Sequence, residues 1–441
     1  MNSLLTEYNK STRPSDNQIK DLLSLYSNGN FTKALSLIDK MLIQFPRSVT
    51  LYNLQGAVNS SLFLFDRAIS SYKKAIEIKP LFFEAHNNLG VTYQNKGEID
   101  KAIKCFTKAL DIKLDYAEAF NNLGIAFMSK KQFNMALKNY KKAINSNPKY
   151  AEAYNNMGNC LTKLNYIDDA ISSYKFSIKL KPDNPDSFNN LGVIYKNKGK
   201  LDEAIEYHKH AIKINPNFAE AYNNLGGCFN EKNNFDEAIN CYKKAIEIKS
   251  DYFESHNNMG TSFFKIRMYG NALHCYKRAI KINPEYSEAY NNLGVTLHKI
   301  GKFDEAIINY KKALLHNLNY PEAFFHLGIT LQEFGNFKEA EENYKQAIIL
   351  KPDYPDAYNN LGVTQQNQSR FEESEASYRQ ALKLKPDYIE CYDNLLYLTS
   401  ISNFDHKRYR KDARVFVDKI KENVNSQFSN WLCSTNSKHL R

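Results

Sequence analysis

Residues 219–226 read AEAYNNLG, and close copies of this phrase return every 34 residues along the chain. The glycine of the phrase marks the register without a slip, at Gly56, Gly90, Gly124, Gly158, Gly192, Gly226, Gly260, Gly294, Gly328 and Gly362. With Ala219 counted as position 1 of its unit, small and apolar residues follow helical spacing at positions 4, 7, 8 and 11. They do so again at positions 20, 24 and 27. Each unit therefore predicts two packed helices.

The junctions between the paired helices also carry signals. Gly97, Gly199, Gly301 and Gly335 stand where a first helix should end in a left-handed residue. Three residues further on, an aspartate is expected to cap the second helix. These aspartates are Asp66, Asp100, Asp168, Asp202, Asp236 and Asp304.

The residues that recur at this period resemble the tetratricopeptide repeat, a helix-turn-helix unit of 34 residues. In one copy they are Tyr222, Leu225, Gly226, Phe229, Ala238, Tyr242 and Ala245. The resemblance implies an all-α, right-handed solenoid, because one unit alone cannot bury its apolar face. We expect a disordered N-terminus (1–14), a degenerate capping repeat (15–48) and ten repeats (49–388). A partial repeat, a linker helix and a loop should fill residues 389–441.

The charge and the reactive residues exclude several classes of function. The net charge is +11, but residues 401–441 supply nine basic and four acidic groups, so the rest of the chain is only weakly basic. Nucleic-acid readers concentrate such charge on one face, so no nucleic acid is expected as a partner. No apolar run suits a signal peptide or a membrane span, which predicts a cytoplasmic protein without a membrane partner. The ten histidines and seven cysteines form no metal pattern, and no catalytic motif occurs.

Candidate binding residues come from the second asparagine of each phrase, at position 6. On a helical wheel this position lies opposite the packing positions and should face the concave side of the solenoid. The residues are Asn88, Asn122, Asn156, Asn190, Asn224, Asn258, Asn292, Asn360 and Asn394, with one interruption at His326. We refer to them as the asparagine ladder. Asparagine costs a helix about 0.5 kcal/mol relative to alanine, so stability does not explain the choice.

An amide both donates and accepts hydrogen bonds, so the ladder predicts a groove that holds an extended polypeptide by its backbone. The other interpretation is that the asparagines were copied with the repeats and face water or bond one another. On the first interpretation, alanine at the ladder positions weakens peptide binding without lowering the melting temperature. The asparagine at position 5 points sideways and is expected to be structural. The acids at position 2, such as Glu220, suit the helix dipole and border the groove.

A narrower resemblance covers the end of the chain. The AYNNLG phrases, YDNLLYL (392–398), RYRKDARVF (408–416) and SNWLCSTNSKHLR (429–441) are similar to the repeat region of protein O-GlcNAc transferases and its junction with the catalytic lobes. The resemblance implies that the groove recruits extended segments of client proteins. A catalytic region using a UDP-sugar donor would begin after Arg441, so no catalytic or cofactor residue is assigned within this chain. The alternative is a free-standing scaffold for protein assembly. The sequence leaves open whether the solenoid forms a homodimer through its convex face.

Overall fold

The computed structural model describes residues 13–401 and 406–428, and these residues contain helices and no β-strand. The first helix of each repeat is α1 (Asp16–Ser27), α3 (Val49–Ser61), α5 (Phe83–Asn95), α7 (Ala117–Ser129), α9 (Ala151–Lys163), α11 (Pro185–Asn197), α13 (Ala219–Glu231), α15 (Phe253–Lys265), α17 (Ser287–Lys299), α19 (Pro321–Glu333), α21 (Pro355–Asn367) and α23 (Ile389–Ile401). The second helices are α2 (Phe31–Gln44), α4 (Phe65–Ile78), α6 (Ile99–Ile112), α8 (Phe133–Ser146), α10 (Ile167–Leu180), α12 (Leu201–Ile214), α14 (Phe235–Ile248), α16 (Tyr269–Ile282), α18 (Phe303–His316), α20 (Phe337–Leu350) and α22 (Phe371–Leu384).

These paired helices form the all-α solenoid that the sequence predicts, and α24 (His406–Phe428) follows as the last helix. The chain divides into two compact units, Met1–Asn224 and Leu225–Arg441. The predicted N-terminal tail, apart from Arg13 and Pro14, and the loop after residue 428 lie outside the described residues. The remaining boundaries between capping repeat, full repeats and linker stay predictions.

The core of each of the ten repeats from residue 49 to 388 is a glycine on the first helix packed against an aromatic ring on the second. Gly226 faces Tyr242, and a Cβ added to Gly226 would lie 2.7 Å from the Tyr242 ring. Tyr242 is 2 % exposed, and Ala238 and Ala245 beside it are fully buried. Small residues at positions 8, 20 and 27 thus let the two helices approach until the aromatic residue at position 24 fills the space between them.

One repeat leaves a buried polar group in this core without a partner. Phe106 stands where eight of the ten repeats have tyrosine, and the Oε1 atom of Gln94 is buried with no hydrogen-bond partner. In a later repeat the Tyr344 hydroxyl donates to Oε1 of Gln332, the residue in the register of Gln94, at 2.9 Å.

We therefore expect Phe106→Tyr to raise the free energy of unfolding by about 1 kcal/mol, because the added hydroxyl would pair the Gln94 carbonyl. Chemical denaturation measures this change. The control is the same substitution in a Gln94→Met background, where no acceptor remains and no gain is expected. An equal gain in both backgrounds would contradict the explanation.

The turn between the paired helices is left-handed in every full repeat, as the glycines predict. Gly97, Gly199, Gly301 and Gly335 have φ between 73° and 85°. The remaining six repeats adopt the same conformation without glycine, at Phe63, Lys131, Asn165, Asn233, Arg267 and Ser369, with φ between 58° and 63°. Packing on either side of the turn therefore imposes a conformation that a side chain disfavours by about 1–2 kcal/mol.

The predicted capping role of the aspartates is wrong. The second helix α4 begins at Phe65, so Leu64 is its N-cap, and Asp66 lies inside the first helical turn. The amide of Ala68 donates to the Leu64 carbonyl at 3.0 Å, which fixes this start. Asp66 instead accepts a hydrogen bond from Lys96 of the next repeat at 2.5 Å. Asp100 and Asp168 make the same contact with Lys130 and Lys198. Because they lie in the first turn, the carboxylates still interact favourably with the positive end of the helix dipole.

The linker helix also differs from its predicted packing. The sequence of residues 404–423 predicts an amphipathic helix with one apolar stripe, formed by Tyr409, Ala413, Phe416, Val417 and Ile420. Of the last three, Phe416 contacts α23, where its ring lies 6.2 Å from the Tyr392 ring. Val417 and Ile420 are exposed. The side of α24 that carries Asp412 faces the repeats instead: the buried carboxylate of Asp412 accepts a hydrogen bond from Arg379 of α22 at 2.9 Å. Asp405, which the sequence suggests as the N-cap of this helix, lies outside the described residues.

Candidate functional site

The first helices line the inner side of each unit. In the N-terminal unit, α3, α5, α7, α9 and α11 contact one another in succession across the repeat boundaries, and in the C-terminal unit α15, α17, α19, α21 and α23 do the same. The second helices of neighbouring repeats in the described residues make no comparable contacts. A stack curves towards the side on which its elements are closest, so the first helices lie on the concave side of each unit.

The ladder asparagines lie on these first helices, half-buried rather than fully exposed. In seven of the nine, the Nδ2 atom donates to Oδ1 of the position-5 asparagine in the preceding repeat. The donor–acceptor pairs are Asn88–Asn53 (3.2 Å), Asn122–Asn87 (3.0 Å), Asn156–Asn121 (3.0 Å), Asn190–Asn155 (3.2 Å), Asn224–Asn189 (3.1 Å), Asn292–Asn257 (3.1 Å) and Asn394–Asn359 (3.0 Å). We call this contact the inter-repeat tie. It explains why the two asparagines are adjacent in the sequence: the first accepts from the following repeat and the second donates to the preceding one.

The acceptors of these ties are buried, except for Asn53 in the first one. Asn121 and Asn257 are fully buried, and Asn189 is 1 % exposed. Their burial and their hydrogen bonds to the following repeat agree with the prediction that the position-5 asparagines are structural. The expectation that alanine at position 6 leaves the melting temperature unchanged has to be revised, because Asn156→Ala would leave a buried acceptor on Asn121 unpaired. Such a loss costs about 1–3 kcal/mol.

His326, where the ladder is interrupted, keeps the tie. Its Nδ1 lies 3.0 Å from Oδ1 of Asn291, and since that oxygen can only accept, the imidazole donates from Nδ1. In the following repeat the tie is missing, because Phe325 occupies position 5 and packs against Tyr354 with ring centroids 4.8 Å apart. Asn360 therefore has no position-5 amide to donate to, and its Oδ1 accepts from Asn359 at 3.4 Å.

The tie leaves part of each ladder amide for another molecule. An amide nitrogen carries two hydrogens and an amide oxygen has two lone pairs, and the tie uses one hydrogen only. Asn190 is an exception, because its Nδ2 also donates to Oδ1 of Asn159 at 3.0 Å and only its carbonyl is left. The position-2 acids contact the same network, since Glu288 accepts from Nδ2 of Asn257 at 3.0 Å and Glu220 from Asn189 at 3.4 Å. The amides are therefore fixed in orientation by their neighbours, with carboxylates beside them.

His208 lies in the core, although its ring nitrogens are not both hydrogen-bonded. It takes the place of the position-24 tyrosine against Gly192 and is completely buried. Its Nδ1 donates to Asn189 at 2.9 Å, while its Nε2 is buried without a hydrogen-bond partner. Burial, together with the charge of Lys196, lowers the pKa of His208 to about 4. The residue is thus a neutral packing group at pH 7.

Within residues 13–401 and 406–428, no three His, Cys, Asp or Glu side chains are grouped so that they could hold a metal ion. The same part of the chain has no helix with the length and apolar content needed to cross a bilayer.

Comparison with known proteins agrees with the repeat architecture. Tetratricopeptide-repeat models match residues 49–80, 83–116, 183–251, 253–286, 275–308 and 355–388. A further model of the same repeat matches residues 65–97, 126–165, 158–199 and 333–369. No curated protein matches the sequence.

Three solved structures are similar in fold. The anaphase-promoting complex hetero-tetramer Cut9–Hcn1 is 17 % identical with a TM-score of 0.51, and the match covers 90 % of this chain and 85 % of that one. YrrB, a tetratricopeptide-repeat protein whose structure is described as having an unusual peptide-binding site, is 25 % identical (TM-score 0.36; 43 % and 97 % covered). PilF of Pseudomonas aeruginosa is 21 % identical (TM-score 0.44; 47 % and 95 % covered). With its 34-residue register, its paired helices and the repeat models that match most of residues 49–388, the chain belongs to the tetratricopeptide-repeat proteins.

Proposed function

We propose that the concave side of each unit binds an extended polypeptide through the ladder asparagines. The observation that carries this proposal is the recurrence of one half-buried amide per repeat, at one position, on helices that lie side by side. A polypeptide backbone presents N–H and C=O groups at regular intervals, and an amide can pair with either. Binding of this kind depends little on the sequence of the bound chain.

The inter-repeat tie supports the proposal because it fixes each amide before a ligand arrives. A free asparagine side chain loses rotamer freedom when it binds, and this loss reduces affinity. The tie has already imposed that order in the folded protein, through the bonds from Asn122 to Asn87 and from Asn156 to Asn121. The remaining N–H and the carbonyl of the amide are thus presented in a set direction.

The test is peptide binding by a variant that carries Asn122→Ala and Asn156→Ala. Each amide–backbone bond contributes about 0.5–1.5 kcal/mol, so we expect the affinity for several unrelated, flexible, uncharged 20-residue peptides to fall about tenfold, by a similar factor for each. The melting temperature should fall as well, since two ties are lost. A control variant, Lys141→Ala with Lys142→Ala on the outer surface of α8, should leave the affinity unchanged. Loss of binding to one peptide only, or no loss at all, would contradict backbone recognition.

A narrower function follows from the resemblance of residues 392–441 to the junction of protein O-GlcNAc transferases. We propose on that basis that the groove recruits acceptor polypeptides for a glycosyltransferase region that uses a UDP-sugar. The resemblance of this segment and of the AYNNLG phrases is the support for it. The second candidate is a scaffold that brings protein partners together without a catalytic region.

Reading the gene beyond codon 441 separates the two. An open frame that continues into alternating strand and helix patterns, with transfer of GlcNAc from UDP-GlcNAc by the full product, supports the transferase. A stop codon at that point, or a full product with no transferase activity, favours the scaffold. Neither result affects the proposal that the groove binds polypeptide.

A further inference from the structure

The outer face of three successive second helices in the C-terminal unit, α16, α18 and α20, carries both basic and apolar side chains. Positions 22, 25, 26 and 29 of a second helix fall within about 100° of one another, on the side opposite the buried positions 20, 24 and 27. The exposed apolar residues of this face are Ile308, Leu315 and Ile349, and Leu318 follows directly after α18. They are 53 %, 77 %, 66 % and 74 % exposed, respectively.

Basic residues share this face with the four apolar side chains. On α16, α18 and α20 the same face carries Lys277, Arg278, Lys281, Lys311, Lys312 and Lys345, all at the surface. Two of the lysines are paired with acids, Lys311 with Glu339 at 3.1 Å and Lys345 with Glu341 at 2.7 Å. Glu342 is the acid that stands on the face itself, while Asp304 and Glu305 lie in the first turn of α18, away from Leu315. We call these four apolar and six basic residues the outer patch.

We propose that the outer patch binds an anionic phospholipid surface. A basic surface with projecting apolar side chains fits the membrane interface, where the cations meet lipid phosphates and the apolar groups enter the acyl boundary. Peripheral binding of this type needs no membrane-spanning helix, and it is independent of the polypeptide groove because it uses the second helices instead of the first.

The shape and charge of the patch favour this occupant over two others. Leu315 and Leu318 are about three-quarters exposed, so they project from the surface and do not line a groove that would hold a partner helix. A deformable lipid surface accepts projecting side chains without complementary pockets. A second copy of the chain is disfavoured, because the six cations outnumber the three nearby acids, Glu339, Glu341 and Glu342, so a two-fold interface would oppose two surfaces of net positive charge.

The test is co-sedimentation of the full chain with vesicles of phosphatidylcholine containing roughly 30 % phosphatidylserine, compared with pure phosphatidylcholine vesicles. We expect binding to the anionic vesicles only, and we expect binding to weaken steeply when the salt concentration rises. The variant Lys311→Glu with Lys312→Glu should reduce vesicle binding more than tenfold, since each lost cation near the surface changes affinity about fivefold.

A second variant, Leu315→Ser, Leu318→Ser and Ile349→Ser, separates the apolar contribution from the charge and should also reduce vesicle binding about tenfold or more. These residues are exposed, so the helical circular dichroism should not change. Leu114→Ser is the matched control, because Leu114 is 81 % exposed in the same register as Leu318 but lies in the other unit. No binding to the anionic vesicles would overturn the proposal, as would equal binding by all variants. Binding of polyglutamate in place of vesicles, with the same dependence on the patch, would also overturn it and indicate an acidic protein partner.

Discussion

Gly260→Ala is expected to destabilise the protein by about 2–3 kcal/mol, because the added methyl group would overlap the ring that packs against this glycine. A Cβ at Gly260 would lie 2.7 Å from Cε1 of Tyr276, well inside van der Waals contact. The Tyr276 ring cannot move aside, because it is 2 % exposed and is held between two helices. Chemical denaturation followed by circular dichroism measures the loss.

Gly270→Ala provides a control within the same repeat. Gly270 is also helical, but a Cβ there meets nothing within 4 Å. Alanine at this site should stabilise the helix by about 0.5–1 kcal/mol, because glycine loses more backbone entropy on folding. If alanine destabilises the protein at Gly260 and stabilises it at Gly270, contact with the aromatic ring, and not helix propensity, is what requires glycine at position 260. Equal effects would contradict the packing model.

The second large effect is a loss of stability in acid that arises from two histidines. Burial lowers the pKa of His208 to about 4, and burial also lowers the pKa of His326 to about 4 despite the opposing charge of Glu322. Unfolded histidine has a pKa near 6.5. Between these pH values both histidines are protonated in the unfolded chain and neutral in the folded one. The free energy of unfolding should therefore fall as the pH drops from about 6.5 to about 4. For His208 alone the loss is on the order of 2–3 kcal/mol at pH 4.

Denaturation at a series of pH values tests this expectation. The double variant His208→Tyr and His326→Asn replaces each histidine by the residue that the same position carries in other repeats, and it should lose less stability below pH 6.5 than the wild type. Carboxylates titrate in both proteins, so the difference between the two curves isolates the histidines. Two parallel curves would show that neither histidine is kept neutral by the fold.

Much of the fold could be predicted because the signals repeat. One glycine at position 8 is weak evidence, but ten in register, each with an aromatic residue sixteen positions later, specify how the paired helices pack. The start of each second helix could not be read in the same way. Asp66 has the right chemistry for an N-cap, yet the left-handed residue at Phe63 moves the cap to Leu64, and sequence propensity does not reveal that shift of two residues.

The sequence left open that the asparagines bond one another, but the partners in the inter-repeat tie could not be read from it. A helical wheel gives the direction in which Asn156 leaves its own helix, but it does not give the distance to Asn121 on the neighbouring helix. A signal was present in the sequence, since asparagine recurs at positions separated by 35 residues as well as by 34. The histidine at position 326 also indicates that position 6 needs a hydrogen-bond donor, because its ring N–H replaces the amide N–H that bonds Asn291.

Peptide affinity in two reciprocal variants tests most directly whether the ladder amides bind a polypeptide in addition to tying the repeats together. His326→Asn adds an amide and Asn292→His removes one, while both side chains keep a donor for the preceding repeat, Asn291 in the first case and Asn257 in the second. At pH 7.5 the account predicts nearly unchanged melting temperatures, tighter binding of an uncharged extended peptide by His326→Asn, and weaker binding by Asn292→His, each by about two- to tenfold. Equal affinities for the wild type and both variants would mean that the asparagines serve only to join the repeats, and would contradict the proposed groove.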